Sequence, residues 1–372
     1  MTLSRTLQKS KGRATLRRLS STVLRTIKII QNQGGTFFQK LLAINSKYRK
    51  MKYRPILVVI TLLLVKMMAS SQTIKQEDNV SRIPIEFVDL KGEKIYLESL
   101  DDPNFEHHDP SNIIKYNGLY YMWYTEHLKK TSGWEGGYIR LATSEDGIDW
   151  KDRGIAIPKG IDGEIDDLAA ITSYVVPANG KFYLFYTAFG SLDKKRKGIT
   201  YALGDTPDGP WKKSGKKLFW PSGNVNEWDG LHIDDANIIF YKNNWYFYYK
   251  GKPAVNGKPG LAKDTKVGVA TSENLLGPYK KYKRNPVFPG HAFTAWVHRG
   301  GVAAFGFGTF WSEDGLHFEK ATEWNPGTIG LFCPENFGNG ENYHGVSWGI
   351  VVMKPKGKAR HLNRLEVPLS IK

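Results

Sequence analysis

Asn117-Gly-Leu-Tyr-Tyr-Met-Trp-Tyr-Thr125 decides the fold, because it returns as Asn179-Gly-Lys-Phe-Tyr-Leu-Phe-Tyr-Thr187 and again as Asn243-Asn-Trp-Tyr-Phe-Tyr-Tyr-Lys250. The copies begin 62 and 64 residues apart. Each sets a turn dipeptide before an alternating aromatic stretch, the pattern of a hairpin entering a strand with one buried face. A second element trails the copies: Ser144-Glu-Asp-Gly-Ile-Asp-Trp150, Asp205-Thr-Pro-Asp-Gly-Pro-Trp211, Ser272-Glu-Asn-Leu-Leu-Gly-Pro-Tyr279 and Ser312-Glu-Asp-Gly-Leu-His-Phe318 are turns closed by an aromatic. Four-stranded units repeated at this spacing predict propeller blades. Four blades are visible as repeats, and a fifth is assembled from residues 327–368, closed by a strand near Ile83–Leu90. The expected class is all-β, a five-bladed β-propeller over residues 72–372, with a β-sandwich as the alternative.

Composition agrees with that class and narrows the partners. Aromatic residues make up 13% of the chain, beside 38 Gly and 18 Pro, which suits short strands and tight turns. The formal charge of +17 suggests a nucleic-acid binder until its distribution is read. Residues 1–70 hold 15 of the 53 Lys and Arg and none of the 36 Asp and Glu, so 38 basic side chains face 36 acidic ones in the rest. The electrostatic footprint of nucleic-acid binding is missing from the propeller region.

Met51-Lys52-Tyr53-Arg54, an apolar run from Pro55 to Val65 and the small residues Ala69, Ser70 and Ser71 follow the order of a signal peptide. Residues 51–71 are therefore expected to be cleaved on export to the periplasm or medium, leaving no stable membrane association, with an uncleaved membrane anchor as the alternative. Residues 1–50 in front of them are read as a start codon assigned too early or a disordered basic leader. Cys333 is the single cysteine, which rules out an intramolecular disulfide.

Three acidic motifs stand ahead of the innermost strands: His107-His108-Asp109-Pro110-Ser111-Asn112, Glu164-Ile165-Asp166-Asp167, and His232-Ile233-Asp234-Asp235-Ala236-Asn237. Innermost strands line the central channel, so carboxylates about 60 residues apart in sequence can converge on one pocket. Acetal hydrolysis needs a base or nucleophile and a proton donor on opposite sides of the bond, which is what convergent carboxylates offer. A lone Asp-Pro is a common turn opener, and His107 or His108 could equally cap a loop. Trp134, Trp228, Trp296 and Trp348 are candidate sugar platforms, because an aromatic face packs against the C–H face of a pyranose. No zinc-type spacing, phosphate loop or serine elbow is present. No cofactor is required, although channel carboxylates leave room for a divalent cation.

The His-His-Asp-Pro-Ser-Asn motif with Tyr-Tyr-Met-Trp-Tyr-Thr, and Ile-Asp-Asp-Ala ahead of Trp-Tyr-Phe-Tyr-Tyr-Lys-Gly, resemble glycoside hydrolase family 117. So do Gly290-His291-Ala292, Trp296, Gly300-Gly301-Val302-Ala303-Ala304 and Trp348-Gly349-Ile350. The likeness runs over roughly residues 100–368, and its first motif is shared with family 43 and other five-bladed propeller hydrolases. It implies an exo-acting, inverting α-1,3-(3,6-anhydro)-L-galactosidase acting on oligosaccharides of red-algal galactan. By motif, Asp109 becomes the general base, Asp234 the carboxylate that tunes the acid or holds the sugar, and His291 the proton donor. Ala292 stands where that family usually carries Glu. His108, Trp134, Asp167, Asp235, Lys250 and Trp296 complete the expected sugar-binding set. His can donate near neutral pH when a carboxylate supports its charged form, and Asp234 is the expected supporter. The rival readings are an arabinosidase or xylosidase like those of family 43, with a Glu acid in blade four, and a non-catalytic carbohydrate-binding propeller. The expected partner is an oligosaccharide, not a nucleic acid, and a monomer and a dimer remain equal alternatives.

Overall fold

Left-handed turn residues start the architecture. Asn117 and Gly118 have φ of 47° and 85°, Asn179 and Gly180 of 53° and 70°, and Lys242 and Asn243 of 47° and 60°. Two successive positive-φ residues twist a two-residue connection to match the right-handed twist of its strands, so each quoted repeat folds back as a tight hairpin. The computed structural model describes residues 93–367, apart from 98–99, 101, 103, 130–133, 193–195, 257, 328, 339–345, 347 and 355–358. The chain divides into two compact units, Met1–Val80 and Ser81–Lys372, and every described residue belongs to the second. The expected leader, residues 1–71, lies outside the described residues.

Five antiparallel meanders follow one another. Blade one has an inner strand in two pieces, Phe105–His108 and Ile114–Tyr116, then Leu119–Leu128, Tyr138–Ser144 and Trp150–Ile157. Blade two runs Ala169–Ala178, Lys181–Phe189, Lys197–Gly204 and Lys212–Lys213. Blade three runs His232–Tyr241, Asn244–Lys252 and Lys266–Ser272, edged by Lys280–Lys281 and Phe288–Pro289. Blade four is Thr294–His298, Gly301–Gly306, Gly308–Ser312 and Glu319–Thr322. Blade five is Ile329–Leu331, Trp348–Met353 and His361–Glu366, and its outer strand is Glu93–Tyr96. That last pairing, Glu93 opposite Glu366 through Tyr96 opposite Asn363, closes the ring. The closing strand was expected near Ile83–Leu90, which lies outside the described residues.

Aromatic side chains fill the five gaps between blades. Trp123 and Tyr186 occupy the layer between blades one and two, Phe185 and Phe247 the next, Tyr248 and Phe288 the third. Trp296 and Phe305 fill the fourth, and Trp150 and Trp348 close the circle between five and one. Each such fully buried side chain contributes roughly 1.5–3 kcal/mol of transfer free energy, which is why the repeat is aromatic in both strand directions. Buried asparagines stitch the inner strands across the gaps. Asn112 receives the Val175 N–H and donates to the Val175 carbonyl, both at 2.8 Å. Asn237 accepts from Ala295 at 3.1 Å, and Asn336 from Val297 at 2.8 Å.

Candidate active site

One recess at the centre touches the inner strand of every blade: Asp109, Pro110 and Asn112 from the first, Thr172 to Tyr174 from the second, Asp235 to Asn237 from the third, Thr294 from the fourth and Ile329 from the fifth. Its water-accessible space is about 30 Å³, enough for one or two water molecules. The acids reach it because three inner strands bulge at the same level. Asp109, Thr172 and Asp235 have φ of 44°, 49° and 53°, and the pairing slips between Ile171 and Ser173 and between Asp234 and Asn237. A bulge re-aims a side chain out of the sheet. Each neighbouring blade holds the next bulge in place: Thr125 Oγ1 accepts the Thr172 N–H at 2.9 Å, and Thr187 Oγ1 accepts the Asp235 N–H at 3.3 Å.

Around these bulges sits a compact set of charges. Lys250 Nζ lies 2.5 Å from Asp235 Oδ2 and 3.5 Å from Asp234 Oδ2. Asp234 Oδ1 takes a hydrogen bond from the Thr187 hydroxyl at 2.8 Å, and Lys197 Nζ stands 4.0 Å from its other oxygen. A parallel pairing between blades, His232 beside Lys197, brings that lysine in, and its N–H donates to His232 Nδ1 at 3.1 Å. Among the described residues, Asp109 Oδ2 and Asp235 Oδ1 are buried without a hydrogen-bond partner. Two ammonium groups thus face three carboxylates, and the arrangement favours one shared proton.

The proton's location follows from the surroundings. Burial pushes Asp235 up to about 8, helped by Asp234 and Asp109 and opposed by Lys250. Burial also lifts Asp109 to about 6, with Asp234 adding to the rise while Lys250 and Lys197 oppose it. Asp234 feels the same burial, yet Lys250, Lys197 and the Thr187 hydroxyl hold it well below the usual carboxylate range. His291 lies within reach of these charges, its Nδ1 3.2 Å from the Thr265 hydroxyl. Burial and then Lys250 pull its imidazole down to about 4, against the opposing field of Asp234. The sequence-based expectation that Asp234 keeps His291 charged therefore meets a competitor, because Asp234 is already committed to Lys250 and Lys197.

The remaining expected residues separate into two groups. His108 and Trp134 stay together near the mouth, ring centroids 4.7 Å apart, with His127 stacked on His108. Burial and the Arg360 guanidinium, 2.6 Å from His108 Nε2, pull His108 down to about 2. Its neighbour His107 instead bonds Glu126 at 2.8 Å. Asp167 ties a loop, bonding the Ser191 hydroxyl and N–H and the Gly163 N–H, and lines no part of the recess. Asp166 anchors Tyr186 and Lys213, as Asp229 anchors Tyr249 and Lys281 one blade later. Trp296 is 0% exposed and Trp348 5%, both inside interblade layers, so neither offers a platform. Trp228 stacks on Tyr249. Glu273, Glu313, Glu319 and Glu323 are exposed on turns and outer strands, which leaves blade four without a glutamate at the channel. Sequence reasoning missed Lys197, Thr172 and Thr187, whose roles exist only through contacts between blades.

The donors present do not suit a metal ion held by these acids: the Lys250 ammonium already occupies the point between Asp234 and Asp235. Among the described residues no group of three or more His, Cys, Asp or Glu has metal-ligand geometry.

Residues 110–306 match the family model described as glycosyl hydrolases family 43. Among solved structures, the chain is similar to Zg3597, a family 117 glycoside hydrolase produced by the marine bacterium Zobellia galactanivorans. That match has a TM-score of 0.68 at 28% identity and covers 76% of this chain and 92% of that one. Fructan 1-exohydrolase IIa from Cichorium intybus matches with a TM-score of 0.53 at 15% identity, covering 76% of this chain and 58% of that one. The GH43_1 enzyme from Xanthomonas citri complexed with xylose matches with a TM-score of 0.50 at 13% identity, covering 74% and 89%. These two share the fold alone. No curated protein matches the chain.

Proposed function

The chain belongs to glycosyl hydrolases family 43 and is a glycoside hydrolase with a five-bladed propeller fold, and from that premise we propose an exported, exo-acting, inverting enzyme. Its proposed substrates are red-algal galactan oligosaccharides, from which it releases terminal 3,6-anhydro-galactose or a related sugar. The observation that carries the reading is the meeting of Asp109, Asp234, Asp235 and Lys250 at the mouth of a recess with room for a water molecule. Asp109, with an unpartnered oxygen beside that space, takes the proton of the attacking water. Asp234 stays ionised and fixes the positive charge around it. His291 donates the proton to the leaving oxygen, and Trp134 offers its face to the sugar. The likeness to a family 117 enzyme and the leader's signal-peptide order support substrate class and export respectively.

A second reading of the donor rests on one observation. Asp235 is pushed up to about 8 whereas His291 is pulled down to about 4, so at neutral pH the protonated group is the carboxyl. Kinetics on two substrates separate the donors. Asp109→Asn should abolish turnover of both a natural oligosaccharide and an activated aryl glycoside. Replacing the true donor should cost several orders of magnitude on the natural sugar and spare the aryl glycoside, whose leaving group needs little protonation. His291→Ala showing that split supports the first reading, and Asp235→Asn showing it instead supports the second. A product that keeps its anomeric configuration, read by NMR, would overturn inversion.

A further inference from the structure

Two lysines at the mouth have more charge than the site uses. The Lys197 side chain is 11% exposed, yet among the described residues its Nζ has no hydrogen-bond acceptor. Its nearest carboxylate oxygen is Asp234 Oδ2 at 4.0 Å, an atom that Lys250 approaches more closely, at 3.5 Å. Its other neighbours are ring faces, Trp134 at 5.6 Å and Phe189 at 5.1 Å. Lys252, opposite His232 in the sheet, is half-buried and among the described residues forms no ion pair, with Asp234 and Asp264 as the acids that face it from a distance. His232 already accepts the Lys197 N–H through Nδ1, so its Nε2 carries the proton and presents a donor. His291, bonded to Thr265 through Nδ1, stands in the field of Lys250, Lys252 and Lys197. Arg360, on the far side, is matched by Glu106 at 3.6 Å.

An ammonium on a side chain largely withdrawn from water, with its nearest carboxylate oxygen 4.0 Å away, is poorly compensated, and a sugar hydroxyl compensates it weakly compared with a charged oxygen. We infer that the sugar accepted here carries an anionic substituent, a carboxylate or a sulfate ester, seated between Lys197, Lys252 and the donor edges of His232 and His291 beside Trp134. The inference rests on the reading of this mouth as the sugar site and names the chemistry of its substrate: an anion at C6 makes that sugar a relative of 3,6-anhydro-galactose rather than the anhydro-sugar itself, whose O6 is held in the ring. It also gives the substrate a part in the reaction. Burial is the main cause that pulls His291 down and the lysines come after it, so a bound anion that offsets the lysines moves the imidazole part of the way back toward its ordinary value.

Titration calorimetry on the full-length native protein tests it, because the free sugars used as probes carry no glycosidic bond to cleave. The probes are galactose, galacturonate and galactose 6-sulfate, at low and high salt. One anionic sugar should bind about tenfold or more tighter than galactose, equivalent to about 1.4 kcal/mol, and lose that margin in high salt. The better of the two acids identifies the substituent. Lys252→Gln, at a half-buried position that tolerates polarity, and Lys197→Met should each shrink the margin between the anionic sugar and galactose severalfold, with both sugars measured on the same variant. Equal binding of all three sugars, or a margin that survives both substitutions, would overturn the inference. Cleavage of a neutral aryl galactoside by the native enzyme alongside such a result would leave the glycosidase reading intact. Absence of both binding and cleavage would remove both.

Discussion

Asp109 and Asp235 occupy equivalent bulges, although the sequence pairs Asp109 with Asp234 through the shared Asp-x-x-Asn spacing. Geometry sides with φ: the left-handed residue is Asp109 in blade one, Thr172 in blade two and Asp235 in blade three. One slipped residue in a bulge is invisible to a motif, which explains why the acids were legible as a set but not as individuals. Their environments make a pH prediction. The ratio kcat/KM reports the free enzyme, where the base is Asp109 at about 6. With His291 at about 4 as donor, the productive form has the base ionised and the acid protonated, a minority species peaking near pH 5 on a neutral oligosaccharide, whose leaving group needs the donor's proton. With Asp235 at about 8 as donor, kcat/KM instead holds a plateau between about 6 and 8 and falls on both sides. A pH-rate profile decides between them. Lys250 gives a second prediction. Lys250→Met removes the nearest cation from the ionised Asp234 and leaves it only Lys197 at 4.0 Å, so unfolding in denaturant should show a loss of about 3–5 kcal/mol at pH 7, shrinking in acid as the carboxyls protonate.

At the level of strands, the repeats were readable because each carries a turn dipeptide and an aromatic alternation, both local signals. The entrance motifs were less so. Asp166 was grouped with Asp109 and Asp234, but its counterpart is Asp229, which also holds a tyrosine and a lysine of its own blade. An acid before a strand serves two jobs in this fold, anchoring the outer strand or facing the channel, and only the contact between strands tells them apart. The asparagine stitches allow an energetic test. Asn112→Ala removes two buried hydrogen bonds and leaves the Val175 N–H and carbonyl unpaired between blades one and two. About 2–4 kcal/mol of stability should be lost, measured by chemical denaturation. Asn237→Ala, with a single bond to Ala295, should cost roughly half as much.

Across the whole molecule, charge and closure set the remaining expectations. The near balance of 38 basic and 36 acidic side chains after residue 70 predicts that residues 72–372 show no micromolar affinity for duplex DNA at physiological salt, checked by fluorescence anisotropy. The fifth blade was the least legible because its inner strand, Ile329–Leu331, is only three residues long and its outer strand comes from the other end of the chain. That borrowed strand has a topological consequence. Glu93 and Glu366 are register partners on adjacent strands, so their backbones run a few ångströms apart. A short linker from Val367, the buried residue after Glu366, to Glu93 could convert the ring into a covalent circle, and fresh ends could then be cut at a surface hairpin such as Asn179-Gly180. Such a circular permutant keeps all five layers and the same channel, whereas a permutant cut between Asp234 and Asp235 loses the bulge on which the acids depend.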